Sequence, residues 1–548
     1  MTDNSTEPFD HFDDIDENED ARELTVHQKR ERIATGPSRS RSLSRRKLLA
    51  GAGTLAGATA IGIAGANAPR GRGISAAPTS APTTEIRFAQ EVATPPEVAT
   101  PSAATIQLPN GTALVTSPRL PLHGIGTDQV QALLQGAITS WRDVGSPINL
   151  PVSAFAIDGI VPDGMKSPQM VKDYAGLLDA LNKTPGGMAV VPIDQIDFRA
   201  NTLALGEVNP LATGDVVRIA VTGDIIPGRN VAIHARKYGD WTHPFLQVRD
   251  FLAGFDLTVS NFECVISDTI APPEETDPNT FDFIASSDVI QGMKLCGIDA
   301  ISLANNHTAW SSSVNGDVGP FTDMLGILDN AGFPYFGGGR DLDQAQRGWE
   351  ATVGNTSIVF IGIDGVTANV DYADQAGTVG AEIGSGFAGA TASKAGTNPL
   401  AVQSVMAKIA DLAGKYDIVI PYFHMGEEFV WVTPDWCVDV AHAAIDNGAT
   451  LVLTNHPHLI QGMEIYKEKP IVYSLGNFVF DQMFSVDTRT GYILDLTFQG
   501  KKVVGLRTHG FEIEDFNQPR LMSAGEHAGL MDRFWRSTDI RTAKNAAR

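Results

Sequence analysis

The sequence predicts an α/β protein in which a smaller α/β domain precedes a larger one, and three observations carry that prediction. From about Gly214 to about Asp515, short runs rich in β-branched residues alternate with helical patterns, the texture of strands connected by helices. Within that stretch, successive apolar runs stop at Asp, Glu, Asn or His, side chains that belong at the open end of a sheet. Residues 106–205 carry a shorter mixture of helix and strand signals of their own. At 548 residues the chain is too long for one ordinary core, so about two to four domains are expected. Its 43% hydrophobic content is that of a globular protein.

The N-terminal elements follow in order. Residues 1–24 hold ten acidic residues against Arg22 alone, and residues 25–49 hold eight basic ones against Glu31 alone. Such opposed charge blocks with few aromatics predict disorder over residues 1–43. Ser44-Arg45-Arg46-Lys47-Leu48-Leu49 then opens an uncharged stretch that runs to Ala66-Asn67-Ala68. Paired arginines, an apolar region and a small-x-small site read as a twin-arginine export signal over residues 44–68. That signal places the protein outside the cell or in its envelope. Ala and Gly dominate the apolar region, which argues against a permanent membrane helix, with an uncleaved anchor as the alternative. Cys264, Cys296 and Cys437 are an odd, sparse set, neither a disulfide framework nor a zinc pattern. Residues 69–105 are a Pro/Ala/Thr-rich linker. The net charge of -23 argues against a general nucleic-acid binder, because phosphate backbones demand Lys and Arg.

Within 106–205, Thr127–Leu134 reads as a capped helix start, Gly136, Trp141 and Gly145 follow, and Gly186-Gly187 turns into the buried strand that ends at Pro192. This segment resembles one half of a phosphate-type periplasmic solute-binding domain. The ligand loops of that family have no clear counterpart here, so no binding residue is carried over, and a docking domain reads equally well.

The larger domain holds the chemistry. VVRIAVT ends at Gly223-Asp224, DLTVS at Asn261-Phe262-Glu263, DAISLA at Asn305-Asn306-His307, YDIVIPYF at His424, and ATLVLT at Asn455-His456-Pro457-His458. A sixth run, PIVYS, ends at Gly476-Asn477-Phe478. Were these strands parallel neighbours, their polar ends would converge on one crevice. Carboxylate, amide oxygen and imidazole together suit Mn, Fe or Zn better than Ca or Mg. Two such ions about 3.5–4 Å apart can activate a water for attack on phosphorus. His456-Pro457-His458 is the strongest local signal: proline fixes the turn, and the i,i+2 spacing turns both imidazoles toward one crevice.

The order GD, NxE, NNH, HxGxE, HPH, YSLGNF resembles the CapA or poly-γ-glutamate capsule biosynthesis family, a branch of the calcineurin-like metallophosphatases, over residues 214–515. The resemblance implies a multilayer β-sandwich flanked by helices, with residues 516–548 as a C-terminal tail or helix. It implies metal ligation by Asp224, Glu263 at the bridging position with Asn261 supporting it, Asn306, His424, His456 and His458. It further implies His307 at the leaving group, and functional roles for Arg229 and Glu428, each of which reads equally as a member of an ordinary ion pair. One departure bears on the chemistry. General metallophosphatases carry Asp-x-His on the first strand, and here that histidine is Ile226, so one ion or two is left open. A second departure is the insertion between Ala309-Trp310 and Asp317-Val318-Gly319. The implied function is capsule or poly-γ-glutamate biosynthesis by a metal-dependent phosphoesterase-type hydrolase. Its substrate would be an envelope polymer or phosphoester, and its partners membrane components of capsule synthesis. A non-hydrolytic assembly or anchoring factor, or an anion-binding module, is the alternative. Gly337-Gly338-Gly339-Arg340 reads as a structural turn, because the Walker pattern is absent. Trp431 and Trp436 read as groove or core.

Overall fold

The computed structural model describes residues 108–212, 215–271, 283–309, 318–371 and 388–548, all within a compact unit that spans Thr105–Arg548. The disordered block, export signal and linker assigned to residues 1–105 lie outside the described residues, as does the insertion from Trp310 to Asp317. No described helix is long and apolar enough to cross a membrane.

Two mixed sheets face one another. The first runs Tyr335–Phe336, Ala300–Ser302, Leu257–Phe262, Val216–Ile225, Thr490–Gln499, Lys502–Glu514, Gln518–Leu521. Its first four strands are parallel, and Thr490–Gln499 joins Val216–Ile225 antiparallel. The second places Thr356–Asn369, Ile418–His424, Val452–Asn455 and Lys469–Val472 in parallel at its centre. Near-continuous apolar strands such as Leu257–Phe262 and Ile418–His424 are buried along their whole length, as parallel strands covered on both faces must be.

Each face of each sheet is accounted for by side chains. Ile219, Val221 and Val259 meet Phe360, Ile420 and Leu453 between the sheets. Helices Arg229–Tyr238, Val289–Leu295 and Gly319–Ala331 cover the outside of the first sheet. Helices Val402–Ala413 and Asp435–Asp446 cover the outside of the second. The result is a helix–sheet–sheet–helix sandwich, the α/β architecture that the motifs implied. Trp436 is core, 5% exposed, whereas Trp431 is half-buried. Gly338–Gly339 forms a short strand against Gly396–Thr397, a structural use of the glycine turn.

The sixth run behaves differently from its expectation. Strand Lys469–Val472 stops short, and the chain crosses to the other sheet, where Asn477–Val479 pairs with Asp224 and Ile225. The crossing needs backbones in contact: a Cβ on Gly223 would collide with the Gly476 carbonyl. Glycine is therefore required before Asp224.

Residues 108–205 form a five-stranded sheet in the order Gln169–Val171, Ser153–Ile157, Gly187–Pro192, Thr112–Thr116, Asn201–Thr202. Helices Thr127–Leu134 and Tyr174–Lys183 pack on it. Phe198 N–H bonds to Val503 O at 3.3 Å, and Arg119 pairs with Asp539 at 2.5 Å; both tie this sheet to the sandwich. At the far end, the helix expected near 525–547 is Ala524–Ala547, capped by Ser523 and Glu526.

Candidate metal centre

The parallel strands of both sheets end at the same place. Asp224 is the penultimate residue of one strand of the first sheet, Glu263 follows Phe262, and Asn305-Asn306-His307 follows Ser302 by way of Leu303 and Ala304. From the second sheet come His424, the last residue of its strand, and Asn455-His456-Pro457-His458. Asp224, Glu263 and Asn306 are 0% exposed, and the four histidines at most 3%. Two groups, Glu263 with His456 and His458, and Asp224 with Glu263 and His424, each bring their ligand atoms within 4.8 Å of one another. Glu263 belongs to both, and each group has the donor chemistry to hold a divalent metal ion.

Glu263 is the centre of the arrangement. Its Oε1 lies 3.4 Å from His424 Nε2, 3.9 Å from His307 Nε2 and 4.0 Å from His458 Nε2. Neither of its carboxylate oxygens has a hydrogen-bond partner, nor does Asp224 Oδ2, Asn306 Nδ2 or either ring nitrogen of His456. Buried polar atoms are normally paired, and leaving one unpaired costs ~1–3 kcal/mol, more when it is charged. A cluster of orphans with cation-ligating chemistry therefore fits a metal.

The other oxygen of Asp224 is held firmly. Asn261 Nδ2 donates to Oδ1 at 2.7 Å and Asn455 Nδ2 at 2.6 Å. Asn261 thus supports Asp224 rather than Glu263, and it also lies 3.3 Å from His424 Nδ1. The reason is register: Asn261 sits directly opposite Asp224 on the neighbouring parallel strand. His424 Nε2 lies 2.7 Å from Asn306 Oδ1, and His458 Nδ1 lies 2.9 Å from Asn477 Oδ1 and 3.6 Å from Asp224 Oδ2. His456 and His458 take positive φ, 116° and 58°, a strain of ~1–3 kcal/mol each that clusters where geometry serves function.

Electrostatics follow from burial. Burial, then the Asp224 charge, pushes the Glu263 carboxyl well above its ordinary value. Burial opposes ionisation of Asp224 too, but the neighbouring His458 and then the His424 charge hold it below its ordinary value. His424 is lowered to about 4 by burial, and His456 and His307 well below their ordinary value, burial again first. His458 alone goes up, to about 9, because Glu263 and Asp224 outweigh its burial.

Arg229 and Glu428 stand at the margin. Arg229 Nε donates to Asp481 Oδ2 at 3.2 Å and its Nη2 to Asp481 Oδ1. The guanidinium lies over the rings of Phe283 and Phe480, 5.1 and 5.0 Å from their centroids, and Phe283 packs edge-on against His307 at 4.5 Å. Glu428 is half-buried beyond His424 and acts on Glu263, His424 and His458 by charge. Ile226 is fully buried in the apolar cluster outside the first sheet, so the side chain after Asp224 that could have been a ligand faces hydrocarbon. Sequence reasoning missed Asp481 and Asp364. Asp364 ends the apolar run SIVFIGI opposite His424, a signal of the same kind as the others. Four hydrogen bonds occupy its carboxylate, from Val366 N, Thr367 N, Thr367 Oγ1 and Thr397 Oγ1, so it braces the strand end.

Residues 218–482 match the family described as bacterial capsule synthesis protein PGA_cap. The match takes in every ligand candidate above and stops one residue past Asp481. The chain is 28% identical over 274 residues to the capsule biosynthesis protein CapA of Bacillus anthracis, covering 48% of this chain and 60% of that one. It is 27% identical over 274 residues to the PGA biosynthesis protein CapA of Bacillus subtilis, covering 49% and 64%. It therefore spans less than two thirds of the length of these relatives. Among solved structures, 5'-nucleotidase from Candida albicans overlaps with a TM-score of 0.31 at 10% identity, over 60% of this chain and 58% of that one.

Proposed function

We propose that this chain is an exported protein of capsule or poly-γ-glutamate biosynthesis whose PGA_cap segment hydrolyses a phosphoester-type bond at a metal centre. The observation that carries the reading is Glu263: a fully buried carboxylate with both oxygens unpartnered, ringed by three histidines. Asp224, Glu263, Asn306, His424, His456 and His458 would hold one or two ions of Mn, Fe or Zn. The ion would supply Lewis-acid activation of a water at neutral pH. The chain's own residues do the rest. Asn261 and Asn455 fix the free oxygen of Asp224 toward the centre, and Asn477 fixes the ring of His458. His307, held neutral by burial, presents its imidazole beside Glu263, where it can hydrogen-bond the departing oxygen. Arg229, neutralised by Asp481, sets the aromatic wall that His307 packs against. Capsule membrane components are the proposed partners, and the pair Arg45-Arg46 supports the twin-arginine route.

The buried Ile226 supports a second reading: an assembly or anchoring factor of the same fold with one weakened metal position. Metal analysis and a phosphoester panel on the purified protein separate the two. Turnover that requires metal and is lost on Glu263→Gln supports hydrolysis. Metal uptake with no turnover across the panel favours assembly.

A further inference from the structure

The PGA_cap match ends at residue 482, yet the two loops beside the ligands are held from beyond it. One loop follows His424 and carries Glu428 and Trp431; the other follows His458. Ser537 of the C-terminal helix Ala524–Ala547 bridges them, accepting from Gly462 N at 2.9 Å and donating to Trp431 O at 2.8 Å. Thr538 Oγ1 accepts from Met463 N at 3.1 Å. Arg541 Nη1 donates to Thr433 O at 2.9 Å and to Asp435 Oδ1 at 2.7 Å. A Cβ on Gly462 would collide with the main chain of Thr538, so helix and loop are in backbone contact.

These contacts are unlike those the same helix makes one turn earlier. Leu530, Met531 and Phe534 fill the space between the sheets, as a core helix does. From Ser537 onward the buried face turns polar, and Ser537, Thr538 and Arg541 are 4%, 9% and 2% exposed. Burying an arginine is costly unless it is paired, and Arg541 pairs through Nη1 with main-chain and carboxylate oxygens at the end of the first loop, while its Nε and Nη2 have no partner. The loops are further joined by Gln461, which donates to Val430 O at 2.7 Å and accepts from Thr433 Oγ1 at 2.8 Å. Phe429 N reaches Pro457 O in the turn between His456 and His458 at 2.9 Å.

We infer that Ser537, Thr538 and Arg541 are positioning residues, and that the C-terminal helix sets the conformation of the two loops flanking the metal centre. The inference rests on the metal-centre reading for its consequence, but on geometry alone for the clamp. The test uses the full chain carrying Ser537→Ala, Arg541→Ala or Arg541→Lys, with Leu133→Ala in the smaller sheet's core as the control for general destabilisation. Hydrogen exchange of 429–435 and 459–463, Mn affinity and the visible spectrum of the Co-loaded protein are measured. Ser537→Ala and Arg541→Ala should raise exchange in both loops, weaken Mn about tenfold and shift the Co spectrum, and Arg541→Lys should restore part of each. Leu133→Ala should lower Tm and move none of them. Unchanged loops in Arg541→Ala, or the same loop and metal changes in Leu133→Ala, would overturn the inference. A parent that takes up no metal sinks the hydrolase reading, and exchange in the two loops then decides the clamp alone.

Discussion

Two clusters of histidines in this molecule have the same spacing and different chemistry. In the candidate metal centre, the rings of His424 and His456 are 4.9 Å apart. Where the smaller sheet meets the sandwich, His123 and His509 are also 4.9 Å apart, with His527 5.7 Å from His123. The first pair is tilted by 63° beside Glu263, whose oxygens have no partner. The second is stacked at 25°, and its one carboxylate, Asp495, is bonded by Arg218 at 2.9 Å and lies 3.3 Å from His509. Only the first yields ligand sets among the described residues. What separates the two clusters is the uncommitted carboxylate between the imidazoles of the first.

The largest expected effect breaks this contrast in one step. Glu263→Gln should abolish metal binding by elemental analysis, yet raise Tm in chelator by a few degrees, because a buried unpaired carboxylate no longer has to be accommodated. His509→Ala should leave metal content unchanged. Next comes pH. Metal must displace protons from Glu263 and His458, both raised, so affinity should climb with pH until about 9, as titration calorimetry can follow. The seam runs by a different rule. His123 is lowered from 6.5 to about 3, burial first and then His509, Arg507 and His527, while His527 is lowered to about 4. The unfolded chain takes up those protons first, so the seam's stability is intact above about 6.5 and is lost as pH falls toward 3. Tm against pH should show that slope, flattened in His123→Gln. A smaller effect is expected for Asn477→Ala, which frees the His458 ring and should weaken metal by about tenfold to a hundredfold. Smallest of all, Arg340→Ala removes an exposed pair with Asp329 and should change stability by less than ~1 kcal/mol, with metal content unchanged.

The strand ends were legible because each is a local event: an apolar run, then a ligand-type residue. Asp224, Glu263, Asn306, His307, His424, His456 and His458 were all found that way, and all meet in the structure. What was not legible depends on pairing between distant segments. Nothing local in PIVYS says that the chain leaves one sheet at Val472 and joins the other at Asn477. Asn261 was assigned to Glu263, its near neighbour in sequence, whereas cross-strand register gives it to Asp224. Asp481 pairs with Arg229, 252 residues away, and Ser537 reaches back 106 residues to Trp431. Asp364 carries the same local signal as the candidate ligands and is fully bonded, which only the completed hydrogen-bond network reveals.

The most direct measurement is metal content of the full chain after reconstitution, in parallel with His456→Ala/His458→Ala and His509→Ala/His527→Ala. About one to two equivalents of Mn, Fe or Zn in the parent, lost with the first pair and kept with the second, is the expected result. A parent that stays metal-free, or metal that survives loss of His456 and His458, would contradict a metal centre built on Glu263.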